Sequence, residues 1–169
     1  MNSTHIAVVI PSYRVKSSIL DVISGIGEEV SSIYVVDDYC PDKTGDHVSE
    51  FCADSRVKVL RHEQNTGVGG AVITGYRNAL IEGADIVVKI DGDGQMDPSL
   101  IPLFCAPIYE GLADYVKGNR FFEIESLQAM PRVRLFGNAL LSFLTAMEGI
   151  MGCTEATAKT RVYRPSNPH

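Results

Sequence analysis

The sequence lacks a basic excess: 15 lysines and arginines face 21 aspartates and glutamates, a formal net charge of −6. A nucleic-acid-binding surface normally shows as a cationic surplus, so that class is set aside. Low-complexity segments and internal repeats are also missing, which removes solenoids and disordered linkers from consideration. No apolar stretch approaches the roughly 18–20 residues that a membrane span needs. The amino terminus, Met-Asn-Ser-Thr-His, runs directly into a strand-like segment and has none of the layout of a signal peptide. The four cysteines, Cys40, Cys52, Cys105 and Cys153, form no C-x-x-C pair and have no ligand-like spacing. Free thiols in a reducing cytoplasm are expected. The expectation is a soluble chain whose 169 residues suffice for one domain with a substantial core.

What the chain does have is alternation. Ile6 to Ile10 is an apolar run stopped by Pro11 and reads as a first strand. Val15, Ile19, Leu20, Val22, Ile23 and Ile26 recur at helical spacing. Further strands are predicted at Ile33 to Val36, Val57 to Leu60, Ile86 to Ile90 and Tyr115 to Lys117. Helices are predicted from the turn cluster 41–46 to about Ala53, and from the glycine-rich loop 65–70 to about Glu82. Two more are predicted over 98–109 and 131–147, the latter with an apolar stripe suited to helix packing or to a membrane surface. This order predicts an α/β fold with a mainly parallel central sheet. Ligands in such sheets bind at the carboxyl ends of the strands. The polar motifs fall at those ends: Pro11-Ser12-Tyr13-Arg14, Asp37-Asp38, His62 to Gly70, and Asp91-Gly92-Asp93.

The last of these motifs organises the rest. The run from Ile86 ends in Asp91-Gly92-Asp93-Gly94-Gln95-Met96-Asp97-Pro98. Its glycines let the backbone turn, so Asp91 and Asp93 need not point to opposite faces as in a strand. Two carboxylates beside an amide make an oxygen-rich site for Mg2+ or Mn2+. The plainer alternative is an acidic turn that caps the next helix through Asp97 or Ser99. Convergence of four strand ends favours the metal site. A dinucleotide fingerprint would need G-x-G-x-x-G after the first strand, where Pro-Ser-Tyr-Arg stands instead. The phosphate-binding P-loop pattern fails because Gly70 to Gly75 is followed by Tyr76-Arg77. A receiver-type domain has the flavour of Val35-Val36-Asp37-Asp38, but its acid pair should follow the first strand and would leave the D-x-D without a role.

Taken together, Val-Ile-Pro-Ser-Tyr, Val-Val-Asp-Asp-Tyr-Cys-Pro-Asp-Lys-Thr-Gly, Asn-Thr-Gly-Val-Gly-Gly-Ala, Asp-Gly-Asp-Gly-Gln and Gly-Asn-Arg-Phe resemble family 2 glycosyltransferases of the GT-A fold. Within these the set is most similar to the polyprenyl-phosphate glycosyltransferases. The resemblance covers roughly residues 5–146 in order. It implies a three-layer, Rossmann-like α/β domain and a metal-dependent, inverting transfer from a UDP- or GDP-sugar to a polyprenyl phosphate at the cytoplasmic face of a membrane. Pro11 and Tyr13 would line the base, and Asp38, with Asp37 beside it, would accept from base or ribose. The alternative for Asp37 is a turn acid bonded to nearby amides. Asn65, Gly67 and Gly69 would shape the loop against the nucleotide, or form an ordinary loop and cap. Asp91, Asp93 and Gln95 would hold Mg2+ or Mn2+ on the diphosphate. Arg120 would face the acceptor phosphate together with Arg132 or Arg134. Solvated surface charge is the alternative for Lys117, Arg132 and Arg134; His62, after the third strand, is expected foremost at the surface, with an approach to the nucleotide as the other reading.

The departure from the family pattern comes at the end. Relatives carry an Asp-Pro-Thr-x-Gly-Phe/Tyr motif, whereas Ile150 to Thr157 lacks its aspartate and aromatic residue. A catalytic domain over 1–147 is therefore expected, followed by an irregular tail over 148–169. A truncated sheet would expose apolar surface and favour a homo-oligomer. A non-catalytic nucleotide-sugar-binding remnant is the rival reading.

Overall fold

Parallel pairing dominates the sheet. The computed structural model describes residues 4–117 and 161–163. In chain order these form β1 (Ile6–Ser12), α1 (Ile19–Ser24), β2 (Val30–Asp37), α2 (Thr44–Phe51), β3 (Val57–Arg61), α3 (Gly67–Ile81) and β4 (Ile86–Lys89). A 3-10 turn (Pro98–Leu100), α4 (Ile101–Tyr109), β5 (Tyr115–Lys117) and β6 (Arg161–Tyr163) follow. The sheet order is β3-β2-β1-β4-β6-β5. β3, β2, β1 and β4 run parallel, while β6 is antiparallel to both β4 and β5.

Alternation along β1 builds a core on each face. Ile6, Val8 and Ile10 pack with Ile19, Val22, Val35, Val48, Val88, Ile101 and Ile108 on the side of α1, α2 and α4. On the other face Ala7, Val9, Tyr34, Val36 and Val87 of the sheet pack with Ala71 and Ala79 of α3. Small residues let α3 lie flush on the sheet: a Cβ added at Gly75 would stand 2.3 Å from Val9 Cγ1. A strand buried on both faces is what a continuous apolar run predicts. Each fully buried isoleucine or valine contributes about 1.5–3 kcal/mol of transfer free energy.

Several boundaries differ from expectation for identifiable reasons. β1 continues through Pro11 to Ser12, with Pro11 opposite Val36. Pro11 shares the parity of Val9, whose carbonyl accepts from Ile90 on the β4 side. Registered pairing with β4 stops at Val9–Lys89, so the missing proline N–H falls where no ladder bond is required. α1 starts four residues later than expected, after a turn in which Ser18 and Ile19 N–H groups donate to Val15 C=O. The glycine cluster is no separate loop, because Gly67, Gly69 and Gly70 form the first turn of α3. Within the tail expected to be irregular, Arg161–Tyr163 forms β6 between β4 and β5. Three residues carry too little periodicity to announce a strand, and β6 exists through its two partners. The helix expected over 131–147 lies outside the described residues.

Strand order reverses around β1, which has β2 on one side and β4 on the other. The crevice at such a switch point, beyond the carboxyl ends of the strands, is where open α/β sheets take ligands.

Candidate functional site

The loops after β1, β2 and β4, with the start of α3, enclose a cleft of about 510 Å3 at that switch point. Pro11, Ser12, Tyr13 and Val15 line it from β1, Asp38 from β2, Asn65, Gly67, Val68 and Ala71 from the start of α3, and Asp91, Gly92 and Asp93 from β4. This volume lies within the usual range of small-molecule sites.

One wall is built from interlocked loops. Asp38 is 3% exposed, and its Oδ1 accepts from His62 Nδ1 at 2.7 Å, Thr66 N–H at 2.8 Å and Thr66 Oγ1 at 2.9 Å. Burial alone would raise its carboxyl, but the donors of Thr66, His62 and Gly67 outweigh that and hold it below the usual carboxylate range. His62 Nε2 reaches Thr74 Oγ1 at 2.8 Å, which ties the end of β3 to α3. The Arg14 N–H donates to Cys40 Sγ at 3.1 Å and the Asp38 N–H to Ser12 C=O at 3.2 Å, joining the loops after β1 and β2. Burial pushes the Cys40 thiol up, yet hydrogen bonds with the Thr44 hydroxyl and the Arg14 and Thr44 N–H groups bring it below its ordinary value. Arg14, Tyr39 and Lys43 all have left-handed backbones, with φ of 56°, 54° and 53°. Such residues cost about 1–3 kcal/mol each and persist where surrounding contacts over-determine them. Tyr13 stands half exposed on the cleft, with the Arg14 guanidinium 5.4 Å from its ring centroid.

The other wall is the acidic turn. Lys89, buried at the end of β4, directs its ammonium onto Asp91 Oδ1. Ser18 Oγ donates to Gly92 C=O at 2.7 Å, and a Cβ at Gly92 would lie 3.0 Å from both Ile19 Cδ1 and Val15 Cγ2. Only glycine fits between α1 and the turn without displacing them. Asp93 Oδ1 accepts the Gln95 N–H at 3.0 Å, and Asp97 caps the 3-10 turn by accepting the Ser99 N–H at 2.9 Å. The plain capping role therefore belongs to Asp97, while Asp91 and Asp93 line the cleft. Among the described residues, no group of three or more His, Cys, Asp and Glu stands ready to hold a metal. The donor set is all oxygen and two carboxylates strong, which suits Mg2+ or Mn2+ when substrate phosphates and water complete the shell.

The structure thus brings Pro11, Tyr13, Asp38, Asn65, Gly67, Asp91 and Asp93 to one cleft. Asp37 has the contacts of the alternative reading, a turn acid: it is buried below the loop, its two oxygens accepting the N–H groups of Cys40 at 2.7 Å and Gly45 at 2.6 Å. Those amides belong to a tight turn entering α2 and need an acceptor, which Asp37 supplies. Gly69 and Gln95 are exposed and outside the cleft lining. Arg120, Arg132 and Arg134 lie outside the described residues. Lys89 was missed as a partner of the site, and His62, expected foremost at the surface, is a partner of Asp38. A lysine inside the apolar run Ile86 to Ile90 was itself the signal, since a buried cation requires a counter-charge nearby. For His62 the signal was its place directly after β3.

Residues 7–165 match Glycosyl transferase family 2. The chain belongs to glycosyltransferase family 2. Among similar family members, the UDP-N-acetylglucosamine–dolichyl-phosphate N-acetylglucosaminyltransferase of Methanococcus voltae is 33% identical over 95% of this chain and 70% of its own. The undecaprenyl-phosphate mannosyltransferase of Micrococcus luteus is 31% identical over 92% of this chain and 65% of its own. The chain thus spans about two thirds of the length of these relatives. Mycobacterium tuberculosis glucosyl-3-phosphoglycerate synthase, solved with Mn2+, UDP-glucose and phosphoglyceric acid, superposes with a TM-score of 0.67 at 22% identity, over 95% of this chain and 56% of its own. That likeness speaks to the fold, which is GT-A: a three-layer α/β domain with a parallel core sheet, in keeping with the strand order here. Among the described residues of this family 2 chain, no helix is long and apolar enough to cross a membrane.

Proposed function

We propose that the chain binds a nucleotide-activated sugar in this cleft and transfers the sugar, with inversion, to a polyprenyl phosphate at the cytoplasmic face of a membrane. The observation that carries the reading is the pairing of two unlike walls at the switch point: Tyr13, Asp38 and Asn65 opposite Asp91 and Asp93. Tyr13 offers an aromatic face to the base, and Asp38 a depressed, buried carboxylate as acceptor for a base or ribose donor. The left-handed Gly67 (φ 77°) opens α3, and a Cβ there would meet nothing within 4 Å. A diphosphate can therefore approach the amino-terminal turn of α3, whose helix end favours negative charge. Asp91 and Asp93, with Gln95 swinging in from the turn, would hold Mg2+ or Mn2+, which when bound offsets the charge growing on the leaving diphosphate.

Attack by an acceptor phosphate oxygen forms the new bond to the anomeric carbon as the bond to the nucleoside diphosphate breaks, and the electron pair departs with the diphosphate. The acceptor is already an anion, so the site needs no strong general base. Arg120, with Arg132 or Arg134, would take the acceptor phosphate through the planar guanidinium fork. Two supports come from similar proteins: the relatives whose names carry dolichyl or undecaprenyl phosphate, and the GT-A neighbour solved with Mn2+ and UDP-glucose.

A thermal-shift series with UDP-, GDP- and CMP-sugars, with and without Mn2+, tests the reading. One nucleotide should stabilise the protein in a metal-dependent way, and Asp93→Ala should abolish the response. Turnover onto a polyprenyl phosphate separates transfer from a binding-only remnant. Silence toward every nucleotide would overturn both.

A further inference from the structure

Just beyond the ends of β2 and β3 their register sets an acid beside an imidazole. Val36 pairs with Leu60, and both pack on the α3 side of the sheet. Two residues on, Asp38 and His62 fall on that same face, side by side. The His62 N–H donates to Asp37 C=O at 2.9 Å, which extends the ladder and aims the ring at α3. There Nδ1 meets Asp38 Oδ1 at 2.7 Å, and Nε2 meets Thr74 Oγ1 of α3 at 2.8 Å. The side chain is 14% exposed, so both bonds are largely shielded from water. Thr66, the N-cap of α3, completes the cluster. Its N–H and hydroxyl donate to Asp38 Oδ1, and the hydroxyl also lies 2.9 Å from His62 Nδ1. Asp38 is held as a carboxylate, which only accepts, so Nδ1 carries the proton. In a neutral ring Nε2 is then the acceptor for the Thr74 hydroxyl. Lysine and arginine have no acceptor to offer there. His62 does not line the cleft, but Asp38 does, and so does Gly67 directly after Thr66.

We propose that His62 is a positioning residue for the donor nucleotide: through Nδ1 on Asp38 and Nε2 on Thr74, it fixes Asp38 relative to the first turn of α3. This rests on the proposed transfer reaction, in which Asp38 reads the base or ribose and that turn takes the diphosphate. One nucleotide then meets two elements whose spacing is set in advance, which lowers the ordering cost of binding. Thr74 is the outer anchor of the bridge, and it acts on the ligand only through His62 and Asp38.

Calorimetric titration of the full chain with UDP and with GDP, each in the presence of Mn2+, tests this role. His62→Phe removes both bonds and should weaken binding of whichever nucleotide the wild type takes by about tenfold. His62→Asn keeps a donor near the Nδ1 position and loses the bond to α3, while Thr74→Val loses that same bond from the other side. Each should cost about threefold, and the double variant no more than either alone, because both break one bond. Thermal melts establish that each variant folds, and Thr74→Val carries the test if His62→Phe does not fold. Nitrogen NMR of the His62 ring at about pH 8, above the ordinary imidazole range, should show a protonated Nδ1 and a bare Nε2. The Nε2 signal should move in Thr74→Val. Unchanged nucleotide affinity in folded Thr74→Val and His62→Asn, or a proton on Nε2, overturns the role while leaving the transfer reaction standing. A wild-type chain that binds neither nucleotide strikes the reaction and this role with it.

Discussion

The two walls of the cleft solve opposite electrostatic problems. Around Asp38 a single carboxylate oxygen receives three donors from His62 and Thr66, and the loops it joins are locked by further bonds from Arg14 and Asp38 backbone groups. Around Asp91 one buried ammonium supplies the counter-charge from two residues away, and Asp93 sits exposed beyond it. The first wall is organised before any ligand arrives. The second holds its charge in a Lys89–Asp91 pair that the proposed metal would have to replace. Under the proposed function, recognition would fall to the rigid side and charge chemistry to the other.

Breaking the acidic wall should have the largest effect. Asp91→Asn removes a proposed metal ligand and leaves the Lys89 ammonium facing a neutral amide. Turnover should fall by about a hundredfold or more, and stability by about 1–3 kcal/mol, read by steady-state kinetics and chemical denaturation. Lys89→Met, which deletes the buried charge, should cost less than about 1 kcal/mol. If the two variants melt alike, the pair is not what holds the turn.

The rigid wall should respond more mildly and with a pH signature. Asp38→Asn should weaken nucleotide binding by about tenfold through loss of a charge-assisted acceptor. Because the folded Asp38 carboxyl is held below its unfolded value, its contribution to stability is present above about pH 4. It is lost as pH falls through the depressed folded value. The acid limb of the stability profile should therefore flatten in Asp38→Asn, and an unchanged limb would show that the donors around it contribute nothing.

The smallest effect is expected at Gly69, where a Cβ would meet nothing within 4 Å. Gly69→Ala should change stability by no more than about 0.5–1 kcal/mol, toward greater stability, since it lies in the first turn of α3. If nucleotide affinity falls while the melting temperature holds, the diphosphate approaches that turn closely. If affinity also holds, Gly69 has no part in the cleft.

Local pattern and chain order were legible in the residues alone: five strands, the helices between them, and the polar motifs that end up around one cleft. Apolar runs closed by Pro11, Asp37, His62 and Asp91 encode this directly, because a buried strand needs continuous hydrophobicity and a strand end needs turn chemistry. Hidden from the sequence was whatever depends on partners distant in the chain. Asp37 and Asp38 are identical in type and adjacent, yet one is spent on the amides of Cys40 and Gly45 while the other lines the cleft. Lys89 reads as a blemish in an apolar run until Asp91 turns back over it. Arg161 to Tyr163 has no strand signal of its own, and only pairing with β4 and β5 makes it one. The acidic turn Asp91-Gly92-Asp93 was a sequence-determined feature; its ion pair with Lys89 was decided by the tertiary structure. The physical reason is that propensity and spacing act within a few residues, whereas hydrogen bonds and charges are settled by whatever the folded sheet brings within reach.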